Sequence, residues 1–408
     1  MIDHFYSKPE LLRRWRCGPL GPHVDQFAGL LIQQGFSRWT GRRKFRLFGH
    51  LGQWLEAKSI PLEHCDEHQV SAFRAYHRKH HHVQDGDETT LAMLLHFLRQ
   101  AGVVPAAIDR LPHDPIELLI QDYTRFLLQE RGLSSATLSN YVPVVRRLLS
   151  EEFRPGGTLQ PRDVNRFLLH QIPHVSRERA HVLTAALRGF LRYLYECGQL
   201  DKDLSGCVPI VARGRDANLP RFLEPKQVEA LLRRRDPDSP CSRRDHAALL
   251  LLARLGLRAG EIVQLSLDDI NWEAGEVLIR GKSTHEDRLP LPPDVGRALA
   301  DYLKRERPLC SSRRVFLRAL APYRGLANPS AVSWIVRRAL TRAGIRSEHK
   351  GAHLLRHSLA TGMLRGGASL AEIGQILRHQ RPRTTELYAK VDVAALRALA
   401  QPWPGGVR

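Results

Sequence analysis

The chain has 408 residues, 43% of them hydrophobic, and carries 62 Lys+Arg against 42 Asp+Glu, a formal net charge of +20. A basic excess of this size favours a polyanionic partner, because Lys and Arg that meet phosphates release condensed counterions, and the length leaves room for about two to four domains. Six cysteines with no CxxC pair exclude a zinc ribbon or a disulfide framework, and no stretch approaches ~18 consecutive apolar residues or the apolar core of a secretory signal, so a cytoplasmic, nucleoid-associated protein without a membrane span is expected.

Residues 1–106 read as a helical module. Its FAGLLIQQGFSRWT, from Phe27, runs parallel to YTRFLLQERGLSSAT, from Tyr123: Gly35 aligns with Gly132, Ser37 with Ser134 and Thr40 with Thr137. Further on, Val70 and Phe73 match Val164 and Phe167. An offset of roughly 95 residues exceeds the common solenoid periods, so two tandem domains are expected, the first a duplicate of the second. The module carries Arg38, Arg42, Arg43, Lys44, Arg46, Arg74, Arg78 and Lys79, a set suited to phosphates. The run HRKHHH from His77 to His82 is metal-like in composition, but its crowded basic surroundings read as a solvated patch rather than a zinc site.

Residues 112–200 read as a second helical domain. A helix, a turn at Gly132 and another helix come first, the latter with Leu138, Tyr141, Val145 and Leu148 on its apolar face. Pro143 is expected to interrupt and kink it, since the ring removes a donor and clashes with the preceding turn. In SRERAHVLTAALRGFLRYLYECG, Leu183, Leu187, Phe190, Leu191 and Leu194 fall on one stripe, with Ser176 placed as N-cap and Gly198 beyond the C-terminus. Arg177, Arg188 and Arg192 lie off that stripe and, with Arg146 and Arg147, are the candidate DNA contacts of this domain. Residues 201–219 have no helical period and carry Gly, Pro and Asn, which reads as a linker.

Residues 220–408 start a new helical domain with one departure. In WEAGEVLIRGKSTHEDRLPLP, Val277–Ile279 and Leu289–Leu291 are short β-runs around a turn that contains Gly281. Further on, NPSAVSWIVRRALTRAG starts a helix near Pro329 and offers Arg337, Arg338 and Arg342 to a DNA groove. Phosphate-directed groups are spread through the domain. Arg258 follows a helix that ends near Gly256, and Lys282 sits in the hairpin turn. His353 and Arg356, three apart, share a helix face, and His379 and Tyr388 close the series. Each alone is an ordinary surface or packing residue; their joint order is not ordinary.

The strings LGLRAGEI, RGKSTHEDRLPL, HLLRHSLATGML and ILRHQRPRTTELYAKV resemble, in that order, the signature of the tyrosine recombinase (phage integrase-like) family, from Pro220 to Val393. Ile116 to Gly198 resembles, less specifically, that family's core-binding domain. The resemblance implies a mainly α, multidomain protein: one or two helical SAM-like DNA-binding domains, and a helical catalytic domain with a small β-sheet, closed around duplex DNA. It implies site-specific recombination, as in the integration, excision or transposition of a mobile element. Cleavage and rejoining would pass through a 3′-phosphotyrosyl link to Tyr388, with no cofactor, ATP or metal. The chemistry accounts for the residue types. A phosphodiester under attack gains negative charge, which the planar forks of Arg258 and Arg356 would hold. A phenol with a pKa near ~10 needs a base, for which His353 is the candidate. Lys282 would protonate the leaving 5′-oxygen, and His379 would bind a nonbridging oxygen.

Arg378 departs from the family's glycine at that position, and an arginine there reads as ordinary helical geometry or one more phosphate contact. After Tyr388, Val393, Leu396 and Leu399 form a short apolar stripe; the resemblance implies that it docks on a neighbouring subunit of a homotetramer on synapsed DNA, alone or with related recombinases. A type IB topoisomerase and a DNA-binding protein without catalysis are the competing classes. The tandem modules stand against the first, and the intact set of six residues against the second.

Overall fold

The structure is a computed structural model that describes residues 1–106, 114–153, 158–211, 220–233, 236, 238–281, 286–379 and 381–390. The chain divides into two compact units, Ala107–Ala217 and a second formed by Met1–Ala106 together with Asn218–Arg408.

Met1–Ala106 holds α1 (Pro9–Arg16), α2 (Val24–Gln33), α3 (Arg38–Ala57), α4 (Glu67–His80) and α5 (Asp87–Gln100). Side chains start the long helices: the Ser37 hydroxyl accepts from the Thr40 backbone N–H at 3.3 Å, and the Asp66 carboxylate accepts from that of Gln69 at 3.0 Å. Phe5, Phe27, Phe45, Phe48 and Phe73 are buried in the core between them. This module rests on a loop of the C-terminal segment. The Tyr323 backbone N–H donates to the Gln34 carbonyl at 3.1 Å, and Ala321 packs against the module's core. Gly35 has φ +80°, and a Cβ there would collide with the Tyr323 ring, so both the backbone and the close approach demand glycine.

Ala107–Ala217 holds α6 (Pro115–Gln129), α7 (Ser135–Glu152), α8 (Pro161–Gln171) and α9 (Arg177–Glu196). The residues aligned between the two helical modules occupy matching local positions. Gly132 has φ +58°, as Gly35 has φ +80°. The Ser134 and Thr137 hydroxyls lie 3.1 Å apart, as those of Ser37 and Thr40 lie 3.0 Å apart. Phe73 and Phe167 are both buried. The predicted stripe of α9 is buried throughout, and Ser176 caps the helix by accepting from the Arg179 N–H.

Two expectations are corrected here. Pro143 lies inside α7 without ending it. The early part of the expected linker is packed: Leu204 and Val208 are buried in the core of this unit. Asp203 caps the turn by accepting from the Ser205 N–H at 2.8 Å, and Arg188 donates to the Val208 and Pro209 carbonyls.

Asn218–Arg408 contributes α10 (Pro225–Arg233), α11 (Ser242–Arg254), α12 (Ala259–Gln264), α13 (Pro293–Arg305), α14 (Pro329–Arg342), α15 (His353–Arg365), α16 (Leu370–Ile376) and α17 (Pro382–Ala389). Between α12 and α13 lies an antiparallel sheet in the order β1 (Ile270–Asn271), β2 (Glu276–Arg280) and β3 (Glu286–Pro290), with Val277 opposite Leu289. Val277 and Ile279 turn inward and their neighbours outward, the period of two expected of a half-buried strand. Ala247 to Ala253 of α11 are all buried, as befits a helix surrounded on every side by α13, α14 and α15. This central helix delivers the chain to the turn at Gly256.

Candidate active site

Two left-handed turns meet at the site. Gly256, just past α11, has φ +59°, and a Cβ on it would fall 2.6 Å from Leu377 Cδ2. Arg378, just past α16, has φ +55°. Ordinary helical geometry at Arg378 is therefore corrected: the turn keeps the backbone that favours glycine, at a cost of about 1–2 kcal/mol for a residue with a Cβ.

The arginines bind these turns together. Arg356, buried on α15, donates Nη1 to the Gly256 carbonyl and Nη2 to the Leu377 carbonyl. Arg258, at the N-terminus of α12, donates Nη2 to the Arg378 carbonyl at 3.1 Å and Nη1 to Glu261 Oε1 at 2.7 Å. Arg378 donates Nη2 to Glu261 Oε2 at 2.8 Å. The buried Glu261 carboxylate also accepts from the Arg258 backbone N–H at 2.8 Å. The Arg258 and Arg378 guanidiniums thus converge on one carboxylate, whose charge also acts on Arg356. Burial, then the charges of Arg258 and Arg378, bring the pKa of Arg356 down to about 10. The pocket is short of negative charge, which is the condition for holding a phosphate.

Tyr388 on α17 is 2% exposed, and its hydroxyl lies 2.9 Å from Nδ1 of His357. Burial raises the phenol's pKa, while Arg356 and Arg258 pull it down. His357 falls to about 4, by burial first and then by His353 and Arg356. His379 stacks parallel to the Tyr388 ring at 6.3 Å, and its Nδ1 shares a 2.7 Å hydrogen bond with the Thr385 hydroxyl. Its pKa too falls to about 4, by burial and by Arg356 and Arg258. His353 is open to solvent at the start of α15, 6.2 Å from the His357 ring, and is lowered by desolvation from surrounding atoms and by the two arginines.

Arg258, Arg356, His379 and Tyr388 are linked in one network by these contacts, with His353 beside His357. Lys282 lies outside the described residues, as do Val393, Leu396 and Leu399. Glu261, His357 and Thr385 were not singled out from the sequence, although His357 stands in the quoted HLLRH string and Glu261 three residues after Arg258.

The basic candidates for DNA differ in freedom. Arg146 pairs with Glu117, and Arg147 with Glu151 at 2.7 Å. Arg338 and Arg342 lie 3.6 and 3.9 Å from Asp236. Arg177 and Arg192 are exposed, and Arg337 lies 4.9 Å over the ring of the exposed Trp334. In the first module, Arg42 donates to the Phe5 carbonyl, Lys44 to the Thr90 hydroxyl, and Arg74 pairs with Glu88, so part of that basic set is used internally.

Comparison with known proteins gives the family. Residues 221–394 match the phage integrase family, and residues 120–198 the phage integrase N-terminal SAM-like domain. The y4rA protein of Sinorhizobium fredii (strain NBRC 101917 / NGR234), integrase/recombinase by name, is 44% identical over 410 residues, covering 99% of each chain. Tyrosine recombinase XerD of Mycobacterium tuberculosis is 32% identical over 315 residues, covering 71% of this chain and 97% of its own. Among solved structures, the XerH site-specific recombinase bound to palindromic difH substrate in a post-cleavage complex shares the fold, with a TM-score of 0.54 at 20% identity over 69% of this chain and 83% of that one. The chain belongs to the phage integrase family of tyrosine recombinases. It is a mostly helical enzyme of site-specific recombination, which cleaves and rejoins DNA.

Proposed function

We propose that Tyr388 is the nucleophile and that Arg258, Arg356, His353, His379 and Lys282 complete the catalytic set. The phenolic oxygen gives its proton to His353 as it attacks the scissile phosphorus, the bond from phosphorus to the 5′-oxygen breaks, and a 3′-phosphotyrosyl link holds the strand. Lys282 gives the departing 5′-oxygen its proton. Attack by a 5′-hydroxyl reverses each step and releases the phenol, so no external energy source is consumed. Arg258 and Arg356 offer N–H groups that strengthen as charge builds on the nonbridging oxygens. His379, held by Thr385, donates to one of those oxygens.

The observation that carries this reading is the Tyr388 hydroxyl, bonded to His357 and lying in the field of Arg356 and Arg258. The substrate is duplex DNA with specific sites, in keeping with XerH on difH substrate. Arg177, Arg192 and the Arg337–Trp334 pair are its contacts outside the scissile phosphate. The working assembly is a homotetramer on two synapsed sites, and the enzyme serves a mobile element in the cytoplasm.

Arg258→Lys and Arg356→Lys keep the charge and lose the fork. Cleavage of a suicide duplex should fall by roughly 10²–10³-fold, the scale of one lost transition-state donor, while binding changes little. Equal losses in both would reduce these arginines to phosphate anchors. Lys282→Ala should regain cleavage on a substrate with a 5′-bridging sulfur, whose departure needs no proton; no gain would remove Lys282 from the acid role.

A further inference from the structure

The run HRKHHH is not uniformly solvated. His77 is buried on the face of α4 that meets α3, and there it faces His50 from α3, Nδ1 of His50 lying 3.2 Å from Nε2 of His77. His81 caps the C-terminus of α4, donating its backbone N–H to the His77 carbonyl at 2.8 Å. Its ring stacks 4.1 Å from that of His50 and 4.8 Å from that of His77. The candidate ligand nitrogens of all three lie within 4.8 Å of one another.

We propose that His50, His77 and His81 form a binding site for a borderline first-row dication of the zinc class, built into the N-terminal module. Metal–nitrogen bonds of about 2.0–2.1 Å in a tetrahedral site hold ligand nitrogens roughly 3.3 Å apart. The His50–His77 pair already stands at that separation, in a contact where the two rings share a proton that an ion would replace. His77 and His81, four residues apart, lie on one side of the helix end, the spacing that lets two imidazoles grip one ion. His81 is exposed, so its ring has room to turn the remaining distance. Three imidazoles without thiolate or carboxylate suit zinc, cobalt, nickel or copper and not magnesium or calcium.

The surroundings bear on the site in both directions. The Arg46 charge opposes a cation, while the Asp87 carboxylate acts on both His50 and His77 in its favour. Burial lowers the pKa of both rings, which favours the neutral form that binds an ion. His50 also lines an open cavity of about 400 Å³ with Trp15, Arg46 and Glu56, which gives an ion a way in. His80 is not part of the set, because its Nδ1 is bonded to the Tyr76 carbonyl at 2.8 Å. An ion held here would tie the middle of α3 to the end of α4.

The test is titration of the untagged full-length protein with cobalt(II), followed by visible absorption and checked by equilibrium dialysis with zinc. One equivalent should bind saturably, with the absorption of a nitrogen-rich site, and zinc should displace the cobalt. His50→Ala and His81→Ala should each weaken binding by more than about tenfold, since loss of a direct ligand exceeds the effect of losing an outer partner. His82→Ala should leave it unchanged. Because His81 is exposed, its variant keeps the native circular dichroism and the result stays interpretable. Absence of saturable binding, or equal affinity in wild type and His81→Ala, would overturn the proposal.

Discussion

His357 meets Tyr388 across 31 residues of sequence, Nδ1 to hydroxyl, at 2.9 Å. A ring whose pKa has dropped to about 4 is a poor base for a phenol whose own pKa is raised. His357 therefore orients the hydroxyl more than it deprotonates it. His357→Ala leaves a buried hydroxyl without this partner, and strand cleavage should slow about tenfold with stability lower by about 1–3 kcal/mol. His357→Asn, which supplies an acceptor oxygen at similar reach, should recover part of both. Single-turnover cleavage at the wild-type rate in His357→Ala would show that this bond has no part in the reaction.

Glu261 is the counter-charge that lets two arginines occupy one pocket. Glu261→Gln turns an acceptor of three hydrogen bonds into a group that also donates toward guanidinium N–H groups. Breaking a buried pair in this way costs about 3–5 kcal/mol, so the urea midpoint should fall clearly. The same change should cost less in an Arg378→Gly background, where one arginine is gone and the left-handed turn has its natural residue. An identical loss in both backgrounds would deny the coupling.

Stability should depend on pH through histidines. His50, His357 and His379 all sit at about 4 in the folded protein, with burial as the leading cause, against about 6.5 unfolded. The unfolded chain then binds more protons between those values, so stability is full above about 6.5 and declines as pH falls toward 4. Denaturation midpoints measured from pH 7 to 5 should decrease steadily, and His379→Asn should flatten part of that slope. A midpoint constant over this range would contradict the buried, neutral state of these rings.

Gly35 and Gly132 separate two effects of one substitution. Both have positive φ, so alanine at either costs about 1 kcal/mol in backbone strain. A Cβ at Gly132 meets nothing within 4 Å, whereas at Gly35 it meets the Tyr323 ring. Gly35→Ala should therefore destabilise more than Gly132→Ala and should speed hydrogen exchange at the Tyr323 amide, which is bonded to Gln34. Equal effects on stability with no change at that amide would mean that the first module does not rest on this loop.

The legible part of the site was its linear order. Arg258, Arg356, His379 and Tyr388 were readable as a series because each sits in a short string of fixed type, and the helices bring those strings together. What periodicity and spacing could not reveal were contacts between strings: Glu261 reaching Arg378 across 117 residues, or His357 reaching Tyr388. Local rules also yielded to packing. Arg378 takes a positive φ against its own preference, at a helix end closed by bonds from the Arg378 N–H to the Gln375 carbonyl and from the His379 N–H to the Gly374 carbonyl. Leu204 and Val208, in a stretch with every mark of a linker, are held by a cap and by Arg188. His77 to His82 look alike in sequence, and the face of α4 that also buries Phe73 distinguishes the buried His77 from its exposed neighbours.

The central claim is that one hydroxyl, that of Tyr388, becomes covalently joined to DNA. The direct measurement is to incubate the full-length protein with a library of nicked suicide duplexes, isolate the denaturant-resistant adduct and identify the DNA-linked peptide by mass spectrometry. The account predicts a peptide from α17 joined through Tyr388 to a 3′-phosphate, and no adduct from Tyr388→Phe although that variant still folds and binds DNA. An adduct that persists in Tyr388→Phe, or a link to any other residue, would contradict it.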